Sequence, residues 1–286
     1  MKLTKLINEN DAIVGVITTV LIIGLMIAVL TVINVSYVPQ WVEKEEAKHM
    51  ELVATQIGKL KSIMDFQSNI DRYTSFTNYV TLGRNEIPFF EPQRTYGSLK
   101  IVSNQTTMEI EENGSNTFSF TSGGIQFSFK NNVFVDQTYI IEAGAYILSQ
   151  SDENGIKGPP PILIESYDGN ISIIFINISC MSSRNQIAGI GTYPVFTGVT
   201  DIIDHVTYNN VTNITVFTNY PRAWYHVFNN SFRNKLAEYE PGERGYDIIE
   251  ENNHVQVRFY DPENQYYTVS VREAKISVQI AWGLLG

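Results

Sequence analysis

The stretch A-I-V-G-V-I-T-T-V-L-I-I-G-L-M-I-A-V-L-T-V-I-N-V-S-Y-V-P-Q-W-V, residues 12–42, decides the architecture of this chain. It contains no charged side chain and begins only eleven residues after the first methionine. About 20 apolar residues are enough to cross a bilayer as a helix. The run is too long for the apolar region of a secretory signal peptide, and no A-x-A-like site follows it. We therefore expect a helix held either in a bilayer or in the apolar core of a polymer whose subunits are first stored in a bilayer.

A second, amphipathic helix is predicted directly after the apolar run. Apolar residues recur there at +3/+4 spacing while charged residues fill the other face, and the repeating residues are Met50, Val53, Ile57, Leu60 and Met64. Pro39 suits either the first turn of a helix or a kink between two helices. Tyr37 and Trp41 lie where the apolar run meets water, as in an interfacial aromatic belt. We divide this region into a leader over 1–12, a transmembrane or filament-core helix over 13–38 and a helical stalk over 39–76.

The remainder of the chain, 77–286, has the texture of a β domain. Short runs rich in Ile, Val, Phe, Tyr and Thr alternate with turn residues, which is the pattern of strands. The clearest predicted hairpin is V-Q-V-R-F-Y-D-P-E-N-Q-Y-Y-T-V-S-V, with Asp261-Pro262-Glu263-Asn264 as its turn. One short helix near 221–238 interrupts the strands, because Pro221 can open it and Pro241-Gly242 can end it. The predicted fold class is α+β, a long N-terminal helix carrying a mainly antiparallel β-sandwich.

Charge and cysteine content exclude several classes of function. The net charge is −10, and residues 77–286 hold 13 Lys and Arg against 22 Asp and Glu. Affinity for nucleic acid comes from basic surface, so nucleic acid is not an expected partner. Cys180 is the only cysteine, which excludes an intrachain disulfide and a cysteine-based metal cluster.

Asn-x-Ser/Thr sequons are frequent in the β region and favour a glycan-coated domain outside the cell. The candidate acceptors are Asn104, Asn113, Asn170, Asn177, Asn210, Asn213 and Asn229. Together with the short leader, they argue for an N-terminus inside and a C-terminus outside.

No pattern in the chain predicts catalysis, a cofactor or a bound metal. None of the four histidines has metal-ligand spacing. Asp204-His205 is not accompanied by a G-x-S-x-G motif. Gly189-Ile190-Gly191 lacks the third glycine of a dinucleotide-binding loop. We therefore assign no catalytic, cofactor-binding or metal-binding residues and expect that the protein is not an enzyme.

The residues Asp11-Ala12-Ile13-Val14 resemble the cleavage site of archaeal class III signal peptides. In those sequences a charged residue and a small residue precede the cut, and the apolar segment then begins the mature chain, as in type IV pilins and archaellins. Residues 1–75 are similar to archaeal envelope proteins with pilin-like N-termini. The resemblance implies cleavage after Ala12 by a prepilin peptidase and assembly by pilus machinery.

The function expected from these features is structural. We expect a subunit of an extracellular type IV pilus-like filament at the cell surface, inserted in the membrane before assembly and bound to identical subunits through its N-terminal helix. The alternative is a membrane-anchored adhesion module that binds through its β-sandwich. A secreted enzyme is the third and least favoured hypothesis.

Overall fold

The computed structural model describes residues 3–70, 72–83, 95–151, 153–165, 169–233, 235–236, 240, 245–260 and 267–281, with side chains from Val14 onward. It shows the expected α+β class, with a long N-terminal helix and a thirteen-stranded sheet among the described residues. The helical elements are α1 (Leu3–Val32), a π-helical turn (Ile33–Tyr37), α2 (Val38–Asn69) and α3 (Pro221–Phe232). The strands are β1 (Ser75–Thr81), β2 (Gly97–Glu112), β3 (Asn116–Phe129), β4 (Gln137–Glu142), β5 (Ala145–Gln150), β6 (Glu153–Gly158), β7 (Ile162–Glu165), β8 (Asn170–Cys180), β9 (Gln186–Gly189), β10 (Thr192–Phe217), β11 (Gly245–Glu250), β12 (His254–Tyr260) and β13 (Tyr267–Ile280).

The chain separates into two compact units. The first comprises the described residues of 1–48 together with Asn132–Phe134, and the second comprises the described residues of 49–85, 94–131 and 135–286. The charge-free helix thus belongs to one unit and the sheet to the other.

The π-helical turn accommodates Pro39. A proline in a helix lacks an N–H and its ring clashes with the carbonyl group four residues earlier. Here Val38 donates its N–H to the carbonyl of Ile33, the wider i→i+5 spacing of a π-bulge. The helix therefore continues through Pro39 with a local irregularity instead of ending there.

The second half of α2 packs on the sheet through its apolar stripe. Met50, Val53, Ile57, Leu60 and Met64 are all buried. Tyr146 donates its hydroxyl to the carbonyl of Ala54 at 3.0 Å, and the Tyr139 hydroxyl donates to Gln137 Oε1 at 2.6 Å while it lies 3.3 Å from the carbonyl of Met50. Burial raises the pKa of Tyr139 to about 12, so both phenols remain donors at ordinary pH.

The helix ends at Asn69, before the end expected near residue 76. Ser68 and Asn69 both donate from their side chains to the carbonyl of Asp65, at 2.8 Å each. Arg272 donates its Nε–H to the carbonyl of Ser68 at 3.2 Å. These bonds satisfy carbonyl groups that have no partner in the last turn of a helix, so the chain can leave the helix and enter β1.

The sheet is mainly antiparallel and strongly curled. Its path runs β6-β5-β4-β3-β2-β10-β13-β8-β7, and β8–β13 is the one parallel ladder among the described strands. Three strands separate β3 from β8, yet the Ser122 hydroxyl on β3 donates to the carbonyl of Ile176 and accepts from the N–H of Ile178, both at 3.0 Å. A Cβ at Gly123 would come within 2.6 Å of the Ile178 carbonyl oxygen. The close approach of the β3 backbone to the β8 backbone therefore requires glycine at this position.

Individual strands contribute to two different cores. On β8, Ile171, Ile173 and Phe175 belong to the core beneath α3. The next buried residues are Ile176 and Ile178. Because side chains alternate between the two faces of a strand, these two residues lie on the face opposite to Ile171, Ile173 and Phe175. α3 also contacts β6 and β7, the two ends of the sheet path, and so spans the opening of the curl.

The predicted hairpin between β12 and β13 is wrong. β12 pairs with β10 over Asn213–Phe217 and β13 pairs with β10 over Val195–Val211, both antiparallel. The two strands follow one another along β10 instead of folding onto each other. The proposed turn at Asp261-Pro262-Glu263-Asn264 lies outside the described residues.

Candidate functional site

The apolar part of the N-terminal helix is the candidate functional element, because its large side chains from Val14 to Val32 are exposed. Among the described residues, one helix, Val14–Asn69, is long and apolar enough to cross a membrane, and its most apolar window is wholly unburied. Leu21 and Leu25 are 68% and 67% exposed. The same properties are found in membrane spans and in signal anchors.

Three threonine side chains within this helix are satisfied without water. The hydroxyls of Thr18, Thr19 and Thr31 donate to the carbonyls of Val14, Gly15 and Ile27, at 2.8, 2.9 and 2.8 Å. This back-bonding satisfies the threonine hydroxyl inside the helix itself. In hydrocarbon, where every polar group needs an internal partner, such threonines can be accommodated.

The residues of the predicted processing site lie on this helix. Asp11, Ala12 and Ile13 are within α1, but their side chains are outside the described set. Val14 is exposed. The backbone is helical from Leu3 through Val32, so the predicted leader is continuous with the apolar run.

A buried carboxylate lies just beyond the apolar run. Glu46 has 0% exposure, and it shares the helical face of Val42 and Met50 by its i±4 spacing. Its Oε1 accepts the N–H of Asn132 at 2.8 Å, and its Oε2 accepts those of Val133 at 3.0 Å and Phe134 at 2.8 Å. Charge-assisted hydrogen bonds contribute about 1.5–3 kcal/mol each, so Glu46 fixes this three-residue segment to the helix.

A second buried carboxylate lies within the sheet. Glu142, at the end of β4, has 0% exposure, and its Oε1 accepts from Thr218 Oγ1 at 2.5 Å and Trp224 Nε1 at 2.8 Å. Burial raises the pKa of the Glu142 carboxyl, and the hydrogen bonds from Thr218 and Trp224 oppose that rise. Because Thr218 precedes α3 and Trp224 is on it, Glu142 anchors this helix to the sheet.

Sequence reasoning missed both glutamates, although each carried a signal. Glu46 continues the buried stripe of α2, and Glu142 ends the strongly apolar strand Y-I-I-E. An acidic residue on a predicted buried face requires a hydrogen-bonding partner, but the sequence does not identify that partner.

The seven sequon asparagines differ in the availability of their side-chain nitrogen. Asn104, Asn113 and Asn170 are exposed. In contrast, three others donate Nδ2 to a neighbour: Asn177 to Glu273 at 2.7 Å, Asn210 to Asn113 at 2.9 Å and Asn213 to Glu111 at 2.6 Å. Asn229 is half-buried on α3. A glycan is attached to Nδ2, so the first three acceptors are the most accessible.

Asp204, which precedes His205 in the sequence, and Cys180 both have partners within the described fold. Asp204 forms an ion pair with Arg272, Oδ1 to Nη1 at 3.0 Å. Cys180 directs its thiol to the carbonyl of Ser182 at 3.2 Å. Among the residues that the structure describes, no group of three or more His, Cys, Asp or Glu is placed to hold a metal ion.

Comparison with known proteins gives no relative. No protein-family model, curated protein or solved structure matches this chain.

Proposed function

We propose that this protein is a structural subunit of an extracellular type IV pilus-like filament, assembled through its N-terminal helix. The observation that carries the proposal is the apolar part of the N-terminal helix between Val14 and Val32, whose large side chains are exposed. The resemblance of residues 11–14 to a class III processing site supports the same function. The filament, the peptidase and the assembly machinery are parts of this proposal.

The physical reasoning rests on the cost of exposing the helix to water. Thirteen large apolar side chains between Val14 and Val32 are exposed. Burying a Val, Leu, Ile or Met side chain contributes about 1.5–3 kcal/mol, so the helix as a whole favours an apolar environment over water by roughly 20–40 kcal/mol. A bilayer satisfies this demand before assembly, and the helices of neighbouring subunits satisfy it in a filament. Transfer between these two environments needs no bound ligand.

The sheet unit would form the outer part of such a filament. We propose that its curled sheet is a β-sandwich, which is supported by the hydrogen bonds of Ser122 across the curl. We also propose that this unit is glycosylated and faces outward, as the exposed Asn104, Asn113 and Asn170 permit.

A membrane-anchored binding module is the second candidate function. It is compatible with the π-helical irregularity before Pro39, because a single-pass anchor does not have to match the surfaces of neighbouring helices. It is also favoured by the exposed side chains of Tyr79 on β1 and Phe196 on β10, which offer apolar surface to a partner.

The test combines electron microscopy with mass spectrometry of the subunit. Surface material released by shear from cells that produce the protein is examined for filaments, and the N-terminal residue of the purified subunit is determined. Filaments whose subunit begins at Ile13 are the expected result. An intact Met1 on a protein that stays in the membrane fraction, without filaments, would replace the pilin function with the anchor.

A further inference from the structure

The segment Asn132–Phe134 brings apolar side chains to the end of the apolar helix. Glu46 accepts its three consecutive backbone N–H groups. With those groups satisfied, Val133 presents its side chain outward and is 48% exposed. Phe134 next to it is half-buried.

The position of Glu46 along the helix sets the level of this segment. Trp41 and Tyr37 are exposed, with ring centroids 6.4 Å apart, and such aromatic pairs mark the boundary between hydrocarbon and headgroups. Glu46 follows Trp41 by five residues, which at 1.5 Å per residue is about 7.5 Å along the helix axis. The headgroup region on each side of a bilayer is about 5–8 Å thick. The segment therefore lies at the level of the headgroups.

The charges of the helix agree with this depth. Glu43, Lys44 and Glu45 are exposed, so the hydrocarbon region must end before them. The charge of Glu46 is removed from the surface by its three donors and its complete burial. A carboxylate saturated in this way does not oppose the approach of lipid, whereas an open carboxylate would.

We infer that Asn132–Phe134 is a lipid-contacting segment, which Glu46 holds against the helix so that Val133 enters the headgroup region of the bilayer. The inference rests on the bilayer-held state in the proposed function, and it adds a second membrane contact far from the helix in sequence. Together with Trp41 and Tyr37, this contact would set the depth at which the unassembled subunit lies.

The experiment uses the full chain in vesicles of dioleoylphosphatidylcholine, without nitroxide or with a lipid that carries a nitroxide either at the headgroup, to probe position 133, or within the acyl chain, to probe position 25. Replacing Cys180 with serine leaves no native cysteine, so single cysteines at Val133, Leu25 or Asn104 can carry an environment-sensitive fluorophore. We expect blue-shifted emission and lipid quenching at positions 25 and 133, and neither change at Asn104, an exposed residue of β2.

The three positions separate failure of this inference from failure of the proposed function. Quenching at position 25 without quenching at position 133 would overturn the lipid contact and leave the membrane helix intact. Protection of position 133 only in assembled filaments would also overturn it and assign the segment to a subunit contact. The absence of quenching at position 25 would contradict the bilayer-held state itself.

A matched pair of variants tests the role of Glu46. Glu46→Gln leaves one acceptor oxygen for three N–H donors, so we expect the quenching at position 133 to fall while that at position 25 is unchanged. Glu45→Gln makes the same charge change at an exposed neighbour whose only described ion pair, to Lys48, is 3.9 Å long, and should have no effect. Equal behaviour of the two variants would show that Glu46 does not hold the segment.

Discussion

The buried carboxylate of Glu142 gives a stability prediction whose size follows from the structure. Removing it with Glu142→Ala leaves the Thr218 hydroxyl and the Trp224 indole N–H without their acceptor. Each unsatisfied buried donor costs about 1–3 kcal/mol, so the expected loss is about 2–6 kcal/mol. Glu142→Gln keeps an acceptor oxygen of the same shape, and we expect it to cost less than about 1.5 kcal/mol.

The assay is chemical unfolding of the full chain in detergent micelles, followed by far-ultraviolet circular dichroism, a backbone signal that is retained when Trp224 is replaced. The double variant of Glu142→Ala with Trp224→Phe should be less destabilised than the sum of the single variants, since both changes remove the same bond. Equal stability of the alanine and glutamine variants, or strict additivity in this cycle, would refute the anchoring role.

The same residue predicts a pH dependence with a definite sign. Burial raises the pKa of Glu142 above its ordinary value of 4.5, so in the window above that value the folded state binds the proton more tightly than the unfolded state. Its contribution to stability is complete below the unfolded pKa and is lost as the pH rises through the folded pKa. The stability of the wild type relative to Glu142→Gln should therefore fall as the pH rises above the ordinary carboxyl pKa of 4.5. A difference that is constant with pH would contradict burial of an ionisable carboxyl at this position.

Three further predictions concern the helix and the surface. Leu25→Asp should abolish filaments and reduce membrane retention, because an Asp at the centre of a membrane helix costs about 2.5–3.5 kcal/mol on insertion. The control Leu52→Asp, at an exposed position of α2, should leave membrane retention unchanged. Membrane fractionation and electron microscopy compare the two variants. Ala12→Leu should keep the chain at full length in the membrane if the class III resemblance holds, and wild-type mobility with normal filaments would exclude that processing. Site-resolved mass spectrometry should find higher glycan occupancy on Asn104, Asn113 or Asn170, which are exposed, than on Asn177, Asn210 and Asn213, whose Nδ2 atoms donate hydrogen bonds. Higher occupancy on the second group would contradict accessibility as the determinant of glycosylation.

Local patterns in the sequence were sufficient for the helices. A run without charge and a stripe at +3/+4 spacing each depend on neighbouring residues alone, and both occur where they were expected. The end of α2 has a local part, the bonds from the Ser68 and Asn69 side chains to the Asp65 carbonyl, and a distant part, the bond from Arg272 to the Ser68 carbonyl. The distant part leaves no trace in the local sequence pattern.

Strand pairing shows the limit of the same reasoning. The alternation of Val255, Val257 and Phe259 correctly predicts one buried face, since all three residues are buried. Alternation identifies the buried face and not the partner strand, and the turn-like residues after Tyr260 favoured the wrong partner. β10 is long enough, at twenty-six residues, to pair with both strands in succession, and its length is the property that the local pattern could not report.

The two buried glutamates connect the fold to the proposed function. Each places an acid on a face that the apolar pattern assigns to the interior, and each uses hydrogen-bond donors far away in sequence. A buried acid is tolerated where hydrogen-bond donors reach it, and those bonds then favour one arrangement of the surrounding elements. Glu142 fixes α3 on the sheet, and Glu46 fixes Asn132–Phe134 on the helix at the level where the apolar run ends. In the proposed filament function the subunit would leave the bilayer, and the hydrogen bonds of Glu46 would then hold its membrane-proximal segment in one conformation.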